Sequence, residues 1–392
     1  MVDFTSILFV IAITALSLLG VHVLNIFLKI PLKSEKYQSI SGLRGYLAFF
    51  VFIHHAILYY YFLRNNQWNI PDSRLFNHFG EISVVLFFMI TSFLFTSKLL
   101  NQNIKIDWIQ LFISRVLRIY PAFLVLCVFQ ILLIFFMSHF QFSEPPITVF
   151  KEIIIWLGFS IIDYLPINGY KDTNLMTANV LWTIRYEWVF YFALPILSLI
   201  ISKNKPKIWL VLITSFIMVT IANHIKLQPV FIYAFVGGAL AAILINNKYI
   251  NQITNKTITS LLILGCLAIV VVCFDTSYSI APICILTLAF IGIAGGNNLF
   301  GILTLKTSRL LGQLSYSMYL LHGIVLYFVF IIVLSPEKAS HLSLTEHWLL
   351  VAACGLFTIL VASLCFKWIE SPCIKSSNLI SRKIKKMFDT TK

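Results

Sequence analysis

The stretch Ile40–Leu63, ISGLRGYLAFFVFIHHAILYYYFL, reads as one membrane-crossing helix that keeps an arginine and two histidines inside an apolar run. Ionisable side chains are expensive in hydrocarbon, so those retained there point to function. Arg44 and His55 are eleven residues apart, which is three helical turns with about 20° left over. The guanidinium and the imidazole therefore share a face, roughly 16 Å apart along the axis. His54 points about 80° away from that face. With Arg44 at one membrane surface, His55 falls near the midplane of a hydrocarbon layer about 30 Å thick. A cationic entrance and a deep neutral base suit a reaction whose charged cosubstrate reaches into the membrane.

The rest of the chain continues this pattern. Of 392 residues 59% are hydrophobic and 11% charged, with mean hydropathy +0.90, which excludes a soluble globular protein. Windows of about 17 to 25 apolar residues mark eleven candidate spans: Ser6–Leu28, Ile40–Leu63, Phe79–Ser97, Ile119–His139, Leu181–Ser202, Ile208–Asn223, Gln228–Ile245, Ser260–Phe274, Ser279–Gly295, Gly312–Leu334 and Glu346–Phe366. The runs are continuous rather than alternating, so the expected fold is an all-α polytopic helical bundle and not a barrel.

Alternate connections differ sharply in basic residues. One set, which includes Lys105, Lys203 and Lys392, holds 22 Lys and Arg; the other holds 6, and Arg185 lies within a span. Basic residues are retained in the cytoplasm, so the carboxyl end is expected inside and the amino end outside. The formal charge of +14 is then a topology signal rather than a nucleic-acid footprint, with a basic tail after Lys375 placed to touch anionic lipid. The first span carries Asp3 ahead of it and its positive charges behind, which reads as a retained anchor rather than a cleaved signal. All seven cysteines lie in or beside apolar spans without metal-like spacing, as small buried hydrophobes would. An apolar piece in the longest external connection, Ile147–Ile162, either lies along the outer surface or tucks back between helices.

Three more constellations carry chemistry. In DWIQLFISRVLRIYP (Asp107–Pro121), Arg115 and Arg118 stand at i and i+3 and project together just before a span. Such a pair grips phosphate oxygens bidentately, or else serves as a stop-transfer charge beside lipid headgroups. In LWTIRYEWVFYFALP (Leu181–Pro195), Arg185 and Glu187 enter a span, and a carboxylate there must find a partner or a proton. Glu187 could orient His55, bind a sugar hydroxyl, or form a structural pair with an arginine. In LLGQLSYSMYLLHGIVLY (Leu310–Tyr327), Ser315, Tyr319 and His322 form a hydroxyl-lined stripe, with His322 about 15 Å into the span from Gly312. An intramembrane histidine is often only hydrogen-bonded to a neighbouring helix. Two histidines at matching depth favour a site.

Taken together these motifs resemble acyltransferase family 3, which includes the O-acetyltransferases of bacterial surface polysaccharides. The family's arginine, ten residues and histidine in a G-L-R-(G/A) setting match Gly42–Gly45 through His55. Its phenylalanine-rich segment resembles Ser83–Thr96, its R-x-x-R-I-Y-P element Arg115–Pro121, and its mid-chain tryptophan and glutamate fall on Trp182 and Glu187. The late S-Y-S-(L/M)-Y-L-x-H motif matches Ser315–His322, and the terminal aromatic-x-x-E-x-P motif resembles Phe366–Pro372. Departures are Val85 where many members carry aspartate, Thr91 with Ser92 in place of serine-glycine, and Arg185 where a small residue is usual.

The resemblance implies an anchor and linker over residues 1–38, a ten-helix transferase domain over 39–372, and a basic cytoplasmic tail over 373–392, with no second extracytoplasmic transferase domain. It further implies a multi-pass protein of the bacterial inner membrane and an acetyl-CoA donor, with no metal. Arg44, Arg115 and Arg118 would hold the donor phosphates. His55 would act as general base or as covalent carrier, with Arg44 and Glu187 completing the catalytic set. Trp182, Arg185, Ser315, Tyr319 and His322 would touch the acceptor, a hydroxyl of a lipid-linked or exported glycan such as O-antigen or exopolysaccharide. The rival of another class is a secondary transporter or flippase, which would call for inverted repeats and paired broken helices; the sequence shows neither.

Overall fold

The computed structural model describes residues 4–69, 73–101, 106–158, 165–201 and 205–389. Asp3, Lys105, Lys203 and Lys392, used above for orientation, lie outside these residues, as do Phe159–Ile162 of the external apolar piece and Ser202 of the fifth window. In chain order the α-helices are α1 (Phe4–Leu28), α2 (Gln38–Asn65), α3 (Arg74–Leu100), α4 (Trp108–Met137), α5 (Pro146–Leu157), α6 (Trp182–Ile201), α7 (Ile208–His224), α8 (Val230–Leu244), α9 (Lys248–Thr254), α10 (Thr257–Cys273), α11 (Ile280–Ala294), α12 (Lys306–Tyr327), α13 (Pro336–Ser340), α14 (Leu344–Cys365) and α15 (Ser371–Asp389). Wider π-turns follow α12 (Phe328–Val333) and α14 (Phe366–Glu370). Among the described residues there is no strand, only an isolated bridge between Ile167 and Tyr170.

A helix forms in each of the eleven apolar windows. Seven of the described helices, counting the α12 and α14 runs with their continuations, are long and apolar enough to cross a membrane. The pair α8 and α9 meets the same test only as one span bent by 108°, a break the sequence did not reveal, and α7, α10 and α11 are shorter apolar helices. The chain is thus an all-helical, multi-pass membrane protein. Its surface is apolar, with Ile200 78% and Phe216 74% exposed, whereas His78, His322 and His347 are fully buried. A soluble protein inverts this pattern, since only lipid makes an outward Phe cheaper than an outward His. Cysteines follow the same logic with one correction: Cys127, Cys354 and Cys365 are buried, but Cys273 and Cys284 are exposed. A small apolar thiol is tolerated against lipid.

Two compact units divide the chain, one of Met1–Leu100 with Gln228–Leu360 and one of Asn101–Leu227 with Val361–Lys392. The core of the first is the pair α2 and α12. A Cβ on Gly312 would stand 1.8 Å from the Ser41 carbonyl oxygen, and one on Gly45 would stand 2.7 Å from the Gly312 nitrogen. Only hydrogen fits, so the backbones touch, as small residues allow in membrane helix pairs. Ser41, Gly45, Phe52 and His55 all meet α12, and their spacing of 4, 7 and 3 is a heptad seam. The α2 helix stops at Asn66, which takes the left-handed conformation (φ 53°) and returns its N–H to the Phe62 carbonyl. Arg64 in the last turn donates to the Tyr60 and Leu342 carbonyls, as suits a cation at a helix carboxyl end.

In the second unit α4 starts at an Asp107 cap that accepts from the Gln110 N–H. The amphipathic α15 lies on α4 through a polar face: Gln110 bonds Asn378 and Ser381, and Lys385 pairs with Asp107. The external piece forms α5, whose twelve residues reach about 18 Å, too short to span. Its Trp156 donates to the Leu165 carbonyl and its Glu152 accepts from the Asn168 N–H, while Ile147, Phe150 and Ile154 are exposed.

Candidate active site

The parallel run of α2 and α12 builds the first cluster. Gly45 and Gly312 touch, and His55 and His322 each lie ten residues further on, about 15 Å along their helices. They meet there, with His322 Nε2 3.1 Å from His55 Nδ1. His322 Nδ1 is 3.2 Å from the Met318 carbonyl and His55 Nδ1 is 2.9 Å from the Val51 carbonyl.

These contacts fix the protons. A carbonyl oxygen only accepts, so His322 Nδ1 carries its hydrogen and, in the neutral ring, Nε2 is a lone pair. His55 Nδ1 then faces two acceptors, Val51 O and His322 Nε2, and must itself be the donor. What remains on His55 is Nε2 with its lone pair exposed. That atom is a proton acceptor or a nucleophile.

Other side chains complete the surroundings in the same unit. His54 packs edge-on to His55 at 4.9 Å and its Nδ1 donates to the Phe76 carbonyl at 2.7 Å, so its role is to tie α2 to α3. Gly80 makes room for that ring, since a Cβ there would come within 2.7 Å of it. Trp68 lies near-parallel to His55 with ring centroids 6.4 Å apart, and Tyr319 is 6.1 Å from His322. Sequence reasoning passed over Trp68, a lone aromatic in the polar run NNQWN; an indole in such a loop was the available signal. Further along α3, Glu81 accepts from the Thr276 hydroxyl and the Ser277 N–H, and His78 contacts the Ser277 hydroxyl at 2.7 Å. Burial and then the Glu81 charge push the nearby Tyr278 hydroxyl well above its ordinary range, so it stays a donor. Among the described residues no group of three His, Cys, Asp or Glu has a metal-holding arrangement.

The second cluster belongs to the second unit. Tyr191 donates to Glu187 Oε2 at 2.8 Å, Arg115 bonds Tyr191, and Arg115, Arg118 and Glu187 lie within electrostatic reach of one another around that hydroxyl. Glu187 therefore finds its partners on its own helix and on α4. Tyr191, which the sequence analysis did not single out, is the link between acid and arginine.

Of the expected residues, His55, His322 and Tyr319 come together in the first unit and Arg115, Arg118 and Glu187 in the second. Arg44 is half-buried on α2 ahead of His55. Ser315 is buried on α12, and its hydroxyl has no hydrogen-bond partner among the described residues. Trp182 and Arg185 are half-buried on the α6 that carries Glu187, with Trp182 packed on Tyr186.

A bundle of membrane helices that holds a neutral, oriented imidazole is the class of protein expected of an intramembrane group-transfer enzyme. The acyltransferase domain model of family 3 matches residues 37–368, and the chain belongs to acyltransferase family 3. No curated protein and no solved structure matches the chain. It is a membrane acyltransferase, and the transporter alternative gives way.

Proposed function

We propose that the chain is an O-acyltransferase that moves an acyl group, acetyl first among them, from cytoplasmic acyl-CoA to a hydroxyl of a cell-surface or lipid-linked glycan such as O-antigen or exopolysaccharide. The reading places it in a bacterial inner membrane, amino end outside and carboxyl end in the cytoplasm. The observation that carries it is the lone pair left on His55 Nε2 by the His55–His322–Met318 hydrogen-bond order.

Two routes use that lone pair. In direct transfer, Nε2 takes the proton of the acceptor hydroxyl while its oxygen attacks the thioester carbonyl; the C–S bond breaks and the thiolate leaves with the proton. In covalent relay, Nε2 itself attacks the carbonyl and the C–S bond breaks to release the thiolate; the acceptor hydroxyl oxygen then takes the acyl group as the N–C bond breaks, and its proton goes to the thiolate. In either case the ring becomes cationic beside His322 Nε2, a ready acceptor for the Nδ1 hydrogen. His322 is thus a positioning residue that fixes the tautomer, and the buried Ser315 hydroxyl and Tyr319 are assigned to the acceptor. Arg115 and Arg118 are assigned to donor phosphates, held in place by Glu187 through Tyr191, and Arg44 to a further anionic group of the donor. Trp182 and Arg185 are assigned to the acceptor.

Mass spectrometry of surface polysaccharide from cells with and without the chain tests the reading. Loss of an acetyl mass that returns with wild-type protein and not with His55→Ala supports it. An unchanged glycan would remove the acceptor assignment, and full activity of His55→Ala would remove the catalytic one.

A further inference from the structure

The first half of α3 is given over to one short loop, residues 274–279 between α10 and α11. Arg74, His78 and Glu81 stand at i, i+4 and i+7 on one helix face, and all three turn to that loop. Arg74 pairs with Asp275 at 2.6 Å. His78 Nε2 lies 2.9 Å from the Phe274 carbonyl and must donate to it, so in the neutral ring Nδ1 accepts the Ser277 hydroxyl hydrogen at 2.7 Å. Glu81 Oε2 accepts from the Thr276 hydroxyl at 2.8 Å and from the Ser277 N–H. The residue that this clamp sends inward is Tyr278. Its ring packs edge-on against Phe231 at 4.9 Å, and its hydroxyl lies within electrostatic reach of Tyr319, whose ring stands 6.1 Å from His322. Depth agrees with this, because Gly80, next to Glu81, is the residue whose missing side chain admits the His54 ring. The clamp therefore ends at the level of the histidine pair.

We infer that Tyr278 is a further residue of the acceptor subsite, its hydroxyl bonding a glycan hydroxyl beside Tyr319, and that Glu81 is the positioning residue that sets its place. This rests on the glycan acceptor proposed above and deepens it by naming a residue that holds the sugar. Glu81 lies close enough to act on the Tyr278 hydroxyl, and a carboxylate there would oppose both the oxyanion of a thioester under attack and the phosphates of an acyl-CoA. A sugar hydroxyl is neutral and both donates and accepts, so it meets no such penalty. Position argues the same way. The α3 helix runs back along α2, with Phe79 stacked on Phe50 and the Phe76 carbonyl bonded to His54. Arg74 and the loop it holds thus lie beyond His55 on the side away from Arg44, the residue assigned to the donor.

The full chain in nanodiscs tests this, with acetyl-CoA as donor and surface polysaccharide from cells that lack the chain as acceptor. Tyr278→Phe keeps the ring and removes one hydroxyl. It should raise KM for the glycan about five- to tenfold, the scale of one hydrogen bond, and leave KM for acetyl-CoA within about twofold. Glu81→Ala, which frees the loop, should raise the glycan KM by a similar factor, and the double variant should do no worse than either single one, because Glu81 acts through Tyr278. Glu81→Gln, whose amide oxygen still accepts from Thr276 and Ser277, should recover most of the affinity. Losses that add in the double variant, or no recovery with glutamine, would overturn the positioning role. Should Glu81→Ala fail to fold, Tyr278→Phe and Glu81→Gln carry the test. Equal losses with glycan and with water as acceptor would put Tyr278 at the acyl group and overturn its place in the acceptor subsite. Wild type that acetylates the glycan, with the same glycan KM in Tyr278→Phe, sinks this inference alone. Wild type that hydrolyses acetyl-CoA and acetylates no glycan sinks the acceptor reading and this inference with it.

Discussion

The histidine cluster of the first unit and the arginine cluster of the second face the same difficulty, polar groups within apolar helices, and meet it differently. His55 and His322 use backbone carbonyls and each other, which requires two helix backbones in contact at Gly45 and Gly312. Arg115 and Arg118 are answered by Tyr191 and Glu187, whose side chains come from α6. Precision in the first comes from main-chain geometry, and in the second from a side-chain network. The first should therefore break at its glycines, and the second should loosen gradually as single hydrogen bonds are removed.

The largest effect belongs to Gly312→Val. Its side chain would overlap the Ser41 carbonyl, so the α2 and α12 backbones must part, at a cost of at least about 3 kcal/mol. Little folded protein is expected in detergent by size-exclusion chromatography. Gly265→Ala, where nothing lies within 4 Å of the new Cβ, is the matched control and should raise stability by up to about 1 kcal/mol. A normal yield for Gly312→Val would show that backbone contact is not what holds the seam.

Next comes His55→Ala, which should keep yield and thermal unfolding near wild type while acyl transfer falls by about 100- to 10,000-fold. His322→Ala should lower kcat roughly 10- to 100-fold with KM for acyl-CoA little changed, because the ring that carries the reaction remains but its tautomer is no longer imposed. His322→Gln, whose amide oxygen can accept the His55 Nδ1 hydrogen, should recover part of the rate. Equal loss in the two variants would make His322 structural rather than positioning.

Tyr191→Phe tests the arginine cluster. Losing the hydroxyl between Glu187 and Arg115 should raise KM for acyl-CoA by about tenfold and leave kcat nearly intact, the scale of one hydrogen bond to a charged group. A change in kcat alone would move this cluster from the donor to the chemistry. The smallest effect is expected from Ser381→Ala, which removes one hydrogen bond between α15 and α4 and should cost about 1 kcal/mol in thermal unfolding.

Much of this was visible along the chain. Continuous apolar runs gave the helices, because a membrane span must satisfy its own backbone, and the spacing of Gly42, Gly45, Arg44 and His55 marked α2 as the element that matters. The depth of His55 and of His322 followed from helical rise alone, roughly 16 Å beyond Arg44 and about 15 Å beyond Gly312. Less was visible of α15, whose serines at Ser377 and Ser381 turned out to be the docking face rather than solvent contacts, or of the break between α8 and α9. Those depend on which helix lies alongside.

The same division holds at the site. Sequence by itself determined that ionisable residues would lie within apolar helices and that two imidazoles would lie at like depth, since composition and rise per residue need no partner to be computed. Tertiary structure alone decided that His322 faces His55 across a sequence separation of 267, that its orientation leaves Nε2 of His55 bare, and that Tyr191 joins Glu187 to Arg115. Hydrogen-bond direction depends on the atoms brought within about 3 Å, and helix pairing, set here by where glycine permits backbones to touch, chooses those atoms.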